Sequence, residues 1–232
     1  MLPETELPAR ELLRRVTIFE GLDDRGLLAL ERLLKLRSFS ADSVIVSQSD
    51  PGDALFIVFR GRVKVVLYGE KGREMILSSF KPGEFFGEMS LLDGQPRSAN
   101  VIAAEPSALY VLERNAFTRH LSENPRTALN VLAEMSRRLR RADSIIGNLA
   151  LLDVYGRVAR MIRELAESDG TEVDGGVVIR QRPTQAEMAA MIGTSRETVS
   201  RALSEFQRRG FLEISGKRIV VRRAFLEESV DG

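Results

Sequence analysis

The chain has 232 residues, 44% of them apolar and 29% charged, which suits one large domain or two modest ones with a real core. Its formal net charge is +1, so only the distribution of charge can argue for a nucleic-acid partner. There is no cysteine, which excludes disulfides, thiolate zinc sites, cysteine-ligated iron–sulfur clusters and cysteine nucleophiles.

The segment Met1–Leu13 carries Pro3, Pro8 and several acidic residues, without the basic-then-apolar order of a signal peptide. No apolar run approaches the length of a membrane span. The expected location is the cytoplasm, with no membrane partner. Leu22 to Leu36 is apolar at near-helical spacing and predicts a helix, with Leu27, Leu28, Leu30, Leu33 and Leu34 on it.

From Arg37 to about Glu113 the texture is β. Val44–Val46, Leu55–Arg60, Val63–Tyr68, Met75–Phe80, Ala99–Ala103 and Leu109–Glu113 alternate with breakers at Pro51-Gly52-Asp53, Gly61, Gly69–Gly72, Pro82-Gly83 and Asp93-Gly94. Short strands at even spacing predict a compact antiparallel sandwich or barrel. The only histidine, His120, lies in a polar helical stretch and reads as a surface or capping side chain, and no metal site is expected.

After Asn124-Pro125 the pattern is helical for a long way. Leu132, Met135, Leu139, Ala142, Ile146 and Leu149 form an a/d seam, which predicts a paired helix and hence a homodimer, the alternative being a helix packed on its own domain. Arg137, Arg138, Arg140 and Arg141 leave that seam narrow, and Gly147 is expected to interrupt the helix near its end. Asp153 is a candidate cap for another helix, with Val154, Val158, Met161 and Leu165 on one face. Glu167–Gly176, acidic and glycine-containing, reads as a loop, and an acidic tail follows Leu226. There is no phosphate loop of the Gly-x-x-x-x-Gly-Lys-Ser/Thr type and no Gly-x-Ser-x-Gly elbow, so no enzyme is expected.

Thr184-Gln185-Ala186-Glu187 is a capping box that opens a short helix, Gly193 ends it, and Ser195 caps the next. On that second helix Val199, Ala202, Leu203 and Phe206 share one face, while Arg196, Glu197, Ser200 and Arg201 share the other. Helix, tight turn and helix, with donors and acceptors at the start of the second, is what major-groove reading requires. Phe211–Ile214 and Arg218–Val221 predict a hairpin with Lys217 and Arg218 at its tip, a wing placed to meet phosphate. Between Arg180 and Arg223 there are ten Lys/Arg against four Asp/Glu.

Thr194-Ser195-Arg196-Glu197-Thr198-Val199-Ser200-Arg201 resembles the recognition helix of the Crp/Fnr family, and the resemblance extends roughly from Phe19 to Ala224. It implies an α+β fold: an N-terminal antiparallel β-roll of the cyclic-nucleotide-binding, double-stranded jelly-roll kind, a long dimerisation helix and a C-terminal winged helix-turn-helix. The implied divisions are 1–120, 121–152 and 153–226, with a tail at 227–232. The implied activity is sequence-specific regulation of transcription through double-stranded DNA, and RNA polymerase is a partner by resemblance alone. Residues matching Arg196, Glu197 and Arg201 read a TGTGA-type half-site in the Crp branch, whereas Ser200 resembles the Fnr branch and its TTGAT-type half-site.

Phe86-Gly87-Glu88-Met89-Ser90-Leu91-Leu92 with Arg97-Ser98-Ala99 offers a glycine for close approach, a short helix start, a carboxylate, and an arginine beside a serine. Taken alone, Glu88 and Arg97 read as a surface salt bridge in a loop. The stretch also resembles the phosphate-binding cassette of cyclic-nucleotide-binding domains. By that resemblance Glu88 accepts from the ribose 2′-hydroxyl, and Arg97 and Ser98 hold the cyclic phosphate with backbone groups of Gly87, Met89 and Ser90. Arg138 lies nearby on the long helix. Ala142 and Asp143 stand where cAMP-binding relatives place two hydroxyl residues against adenine. The expected effector is cAMP, with cGMP, cyclic di-GMP or no ligand as alternatives. The competing readings are a ligand-independent family member and a nucleotide-gated regulatory subunit of another assembly.

Overall fold

The structure, a computed structural model, describes residues 9–227. Pro3 and Pro8 lie outside them, as does the expected tail apart from Glu227. The chain divides into two compact units that part on the long helix between Arg140 and Arg141, with Tyr68–Ile76 grouped with the second.

The first unit opens with α1 (Ala9–Arg15), a 3₁₀ turn at Thr17–Phe19 and α2 (Asp24–Glu31). The Asp23 side chain caps α2 by accepting from the Gly26 amide at 2.8 Å. The helix expected to reach Leu36 stops at Glu31: i→i+3 bonds from Leu33 to Leu30 and from Leu34 to Glu31 tighten its end. The chain then enters β1 (Lys35–Phe39), whose five residues pair with β8 (Ser107–Glu113). Ladder pairing outweighs the helical propensity of the leucines there.

The remaining strands of this unit are β2 (Val44–Val46), β3 (Ala54–Arg60), β4 (Val63–Tyr68), β5 (Glu74–Phe80), β6 (Phe85–Phe86) and β7 (Asn100–Ala103). They form two four-stranded antiparallel sheets, ordered β1-β8-β3-β6 and β2-β7-β4-β5. Strand β3 shows how the layers are built. Ala54, Phe56 and Val58 join Val63, Phe80 and Val101 between the sheets, while Leu55, Ile57 and Phe59 on the other face meet Leu13, Phe19, Leu30 and Phe117 from the helices. Period-2 alternation with both faces buried is what a central strand needs. Strands β1 and β6 were not legible as strands, and α3 (Glu88–Asp93) lies between β6 and β7.

Helix α4 (Arg114–Glu123) leads to α5 (Pro125–Leu151), which is unbroken over 27 residues. Gly147 does not interrupt it, since one glycine near a helix end costs only about 1 kcal/mol. Along α5, Thr127 and Val131 are buried and Met135 packs against the first core, but Leu132, Leu139 and Ile146 are 62–64% exposed.

The second unit contains α6 (Val154–Asp169), β9 (Gly170–Val173), β10 (Gly176–Ile179), α7 (Gln185–Ile192), α8 (Arg196–Arg208), β11 (Leu212–Ser215), β12 (Arg218–Arg222) and α9 (Arg223–Glu227). Asp153 caps α6, accepting from the Gly156 amide at 2.7 Å. The loop expected at Glu167–Gly176 is instead the end of α6 followed by a hairpin, β9 against β10, turning at Asp174-Gly175 with Gly175 at φ +79°. The sheet runs β11-β12-β10-β9 over a core of Val158, Ile162, Met188, Val199, Phe206 and Phe225.

His120 is buried rather than on the surface. Its Nε2 lies 3.1 Å from Thr127 Oγ1, its Nδ1 lies 3.2 Å from the Asn124 amide nitrogen, and its ring meets Phe19 edge-on. With Asn124 donating to Nδ1, the proton of the neutral ring sits on Nε2. Burial pushes the imidazole pKa down, opposed by the Glu123 charge. The unfolded chain therefore takes up a proton near the ordinary value of about 6.5 while the folded chain does not, so this contribution to stability is complete above that pH and is lost as pH falls towards the lowered folded value. Denaturant titrations on either side of that window should show wild type losing stability on acidification and His120→Gln losing less; equal losses would refute the assignment.

Candidate effector and DNA-reading sites

The effector candidates gather on the first unit around α3. Gly87 caps that helix at φ +90°, and a Cβ there would lie 2.6 Å from Arg97 Nη1 and 2.9 Å from the Ala54 carbonyl, so only glycine fits. Having no side chain, Gly87 leaves the first-turn amides of α3 without a side-chain cap. Glu88 and Ser90 are buried, and Met89 and Ser98 are exposed.

Glu88 and Arg97 do not form the surface salt bridge their types suggest. Arg97 is 5% exposed and its fork is spread over backbone: Nη1 donates to the Gly87 carbonyl and Nη2 to the Ala54 carbonyl, each at 2.8 Å. Its plane lies 5.7 Å over the Phe56 ring, and Asp53 stands 3.9 Å away. Glu88, 1% exposed, is met instead by Arg138 of α5: Nη1 donates to Glu88 Oε1 at 3.0 Å, Nη2 to the Phe85 carbonyl at 2.7 Å, and Nε to Glu134 at 3.2 Å. Arg138 also lies over the Phe80 and Phe85 rings. The roll meets Arg97 with two carbonyls and, at longer range, with Asp53, and leaves the buried Glu88 carboxyl to Arg138 of α5.

Burial raises the Glu88 carboxyl pKa above its ordinary value in spite of Arg138, and burial lowers that of the Arg97 guanidinium. Glu88 Oε2 and Arg97 Nε are buried without a hydrogen-bond partner. Two orphaned groups of complementary kind, an acceptor and a cationic donor, are what a ligand with a hydroxyl and an anionic group would satisfy. Ala142 and Asp143, one turn and slightly more beyond Arg138 on α5, are exposed and make no side-chain hydrogen bond among the described residues. Residue types gave no sign of Glu134, Gly52 or Arg114 as parts of this site. Arg114 donates to the Ser90 carbonyl at 2.9 Å and to the Gly52 carbonyl, and a Cβ on Gly52 would lie 2.1 Å from Ser90 Cβ. Glu134 was detectable by its four-residue spacing from Arg138.

The DNA-reading candidates lie on the second unit. Thr184 and Glu187 form the capping box, with the Thr184 amide donating to Glu187 at 2.7 Å and the Glu187 amide donating to Thr184 Oγ1 at 3.2 Å. Gly193, at φ +67°, closes α7, and Ser195 caps α8 by accepting from the Thr198 amide at 3.2 Å. Val199, Ala202, Leu203 and Phe206 are buried, leaving Arg196, Glu197 and Arg201 exposed and Ser200 half-buried along one open groove with Gln185 and Tyr155. A hydrogen bond from its own main-chain amide, then the Ser195 hydroxyl and the charges of Arg196 and Arg201, hold the Glu197 carboxyl below its ordinary pKa. At neutral pH it is therefore a pure acceptor, the state that meets a cytosine amine. Lys217 is exposed in the two-residue turn between Ser215 and Arg218.

Replacing Arg138 with methionine should destabilise the first unit by up to about 3–5 kcal/mol in urea titrations, because it strands a buried carboxyl. Adding Glu88→Gln to that variant should recover part of the loss; a neutral Arg138→Met would contradict the pairing.

Residues 36–124 match the cyclic nucleotide-binding domain, and residues 156–228 match the Crp-like helix-turn-helix domain. The chain is 32% identical over 211 residues to the CRP-like cAMP-activated global transcriptional regulator of Mycobacterium tuberculosis, covering 91% of this chain and 94% of the relative. It is 33% identical over 189 residues to the cAMP-activated global transcriptional regulator CRP of Escherichia coli O157:H7, covering 80% and 89%. Among solved structures it resembles the c-di-GMP responsive global regulator CLP of Xanthomonas campestris, with a TM-score of 0.74 and 25% identity over 86% of this chain and 99% of that one. These relatives are named as regulators, not as enzymes. The β-roll and the capped helix pair with its wing fall within the two matched domains in that order, and the chain belongs to the Crp/Fnr family of transcriptional regulators.

Proposed function

We propose that this regulator acts as a homodimer that binds a pseudo-palindromic TGTGA-type operator and is switched by a cyclic nucleotide, with cAMP as the effector. The observation that carries the nucleotide reading is the pair of buried, unsatisfied groups, Glu88 Oε2 and Arg97 Nε, beside the uncapped first turn of α3. A ribose hydroxyl suits the first, and a cyclic phosphate suits the second together with the α3 amides and Ser98. The cAMP-activated relatives at 32–33% identity favour cAMP.

The dimer reading rests on the seam of α5. Leu132, Leu139 and Ile146, with Leu149 and Ala142, are exposed on the single chain at heptad spacing. Covering each leucine or isoleucine would contribute about 1.5–3 kcal/mol. Two α8 helices would then be presented about 34 Å apart, one turn of DNA. The chain leaves α5 through Leu152 and the Asp153 cap of α6, and that short break is where the reader would pivot. The nucleotide shifts the balance only by its differential affinity for the two arrangements.

A guanine nucleotide is the second reading. Asp143 is an exposed acceptor where a hydroxyl would suit adenine, and the Xanthomonas campestris regulator CLP is described as c-di-GMP responsive.

Fluorescence anisotropy on a TGTGA-type palindrome at fixed salt, with cAMP, cGMP or cyclic di-GMP, tests these readings. We expect tightening with cAMP alone, loss of that response in Arg97→Ala with non-specific binding retained, and relaxed discrimination at one base pair in Glu197→Ser. Tightening with a guanine nucleotide would select the second reading, and tight binding indifferent to all three would reject nucleotide control.

A further inference from the structure

Of the ten Lys/Arg between Arg180 and Arg223, Arg196 and Arg201 belong to the exposed face of α8 and Arg223 opens α9, and the other seven are sorted by what each already does. Arg208 pairs with Glu205, Arg222 pairs with Glu213, and Arg209 lies 4.8 Å over the Phe211 ring. Arg182 is committed as well. Its Nε donates to the Gly216 carbonyl and its Nη1 to the Pro183 carbonyl, each at 3.1 Å, and its main-chain amide donates to the Lys217 carbonyl at 2.9 Å. It ties the turn of the wing to the residue just before the Thr184 cap of α7. Arg180, Lys217 and Arg218, by contrast, are exposed and make no side-chain hydrogen bond or ion pair among the described residues.

The β10–β12 register ends on Ile179 facing Ile219. Arg180 follows Ile179 and Arg218 precedes Ile219, so the two flank the last pair of the ladder on neighbouring backbone, and Lys217 is the next residue in the turn. Like charges on neighbouring backbone repel one another. The four carboxylates of the segment are placed elsewhere: Glu187 in the cap of α7, Glu197 at the start of α8, and Glu205 and Glu213 on their own arginines. No carboxylate of this segment offsets the repulsion among Arg180, Lys217 and Arg218. A phosphodiester would, since it carries a full negative charge and accepts from several donors at once.

We propose that Arg180 joins Lys217 and Arg218 in a phosphate clamp at the tip of the wing, and that Arg182 is the positioning residue that holds the turn instead of a phosphate contact. This rests on the DNA-binding reading of the helix pair and gives the wing a sequence-independent grip beside the base-reading face of α8.

The test measures full-length protein binding to the palindromic operator and to a random-sequence duplex across a salt series. Arg180→Gln and Arg218→Gln should each weaken binding by the same factor on both duplexes and reduce the log–log salt slope by about 0.9 per copy of the residue in the complex. Both should also raise the melting temperature at low salt, because repulsion is relieved; a merely structural arginine would lower it. Arg182→Gln should weaken binding alone but add nothing to Lys217→Gln. A wild-type slope in Arg180→Gln, a fall in its melting temperature, or additivity of Arg182→Gln with Lys217→Gln would each overturn the clamp while wild-type binding kept the DNA-reading assignment intact. A wild-type protein that binds neither duplex would remove that assignment and the clamp with it.

Discussion

The contact between Glu88 and Arg138 is the constraint on which the rest of the structure turns. A carboxylate 1% exposed is tolerable only with a strong partner, and the β-roll supplies none of its own. The partner arrives from α5, the same 27-residue helix whose exposed leucines would be covered in the proposed dimer and whose end leads into the DNA-reading unit. In the proposed switch, whatever competes for Glu88 therefore acts on the helix that leads to the DNA-reading unit. Because Arg138 is also held by the Phe85 carbonyl and Glu134, a ligand that takes the free Oε2 need not expel it. It can instead change how firmly α5 is gripped.

Arg97 obeys the same logic with the opposite charge. Its two terminal nitrogens are taken by the Gly87 carbonyl at the entry to α3 and the Ala54 carbonyl of β3, which a Cβ on Gly87 would crowd at 2.9 Å. The guanidinium is thus fixed before any ligand arrives, and preorganisation of this kind reduces the entropy lost on binding. At the other end of the chain, α8 is built differently. Its polar face is exposed, and its support comes from below, through the Ser195 cap and four buried residues. A binding pocket holds buried charge with bonding capacity left for its ligand, whereas a major-groove reader keeps its charge exposed.

Much of this was legible in the residues. The capping box, the αL glycine at Gly193, the buried stripe of α8 and the hairpin with Lys217 at its tip each rest on local rules that leave few alternatives. Strand β1 was hidden because Lys-Leu-Arg-Ser-Phe is almost wholly exposed and carries no hydrophobic alternation; only its partner β8 makes it a strand. The β9–β10 hairpin had a signal in Asp174-Gly175, but its acidic surroundings read as solvated loop. His120 sits three residues after buried Phe117, a helical spacing that pointed inwards and was outweighed by its polar neighbours. The pairing of Glu88 with Arg138 in place of Arg97 spans 50 positions, and nothing local could choose between the two arginines.

Coupling between the two sites is the central claim, and thermodynamic linkage makes it testable from either end. If cAMP tightens operator binding by some factor, the operator must tighten cAMP binding by the same factor. Titrating cAMP into the full-length protein by calorimetry, with and without saturating operator duplex, measures this directly. The account predicts a lower Kd for cAMP in the presence of operator, matching the gain in DNA affinity that cAMP confers. An identical Kd in both titrations would mean that the nucleotide pocket and the recognition helix do not communicate, and would contradict the account.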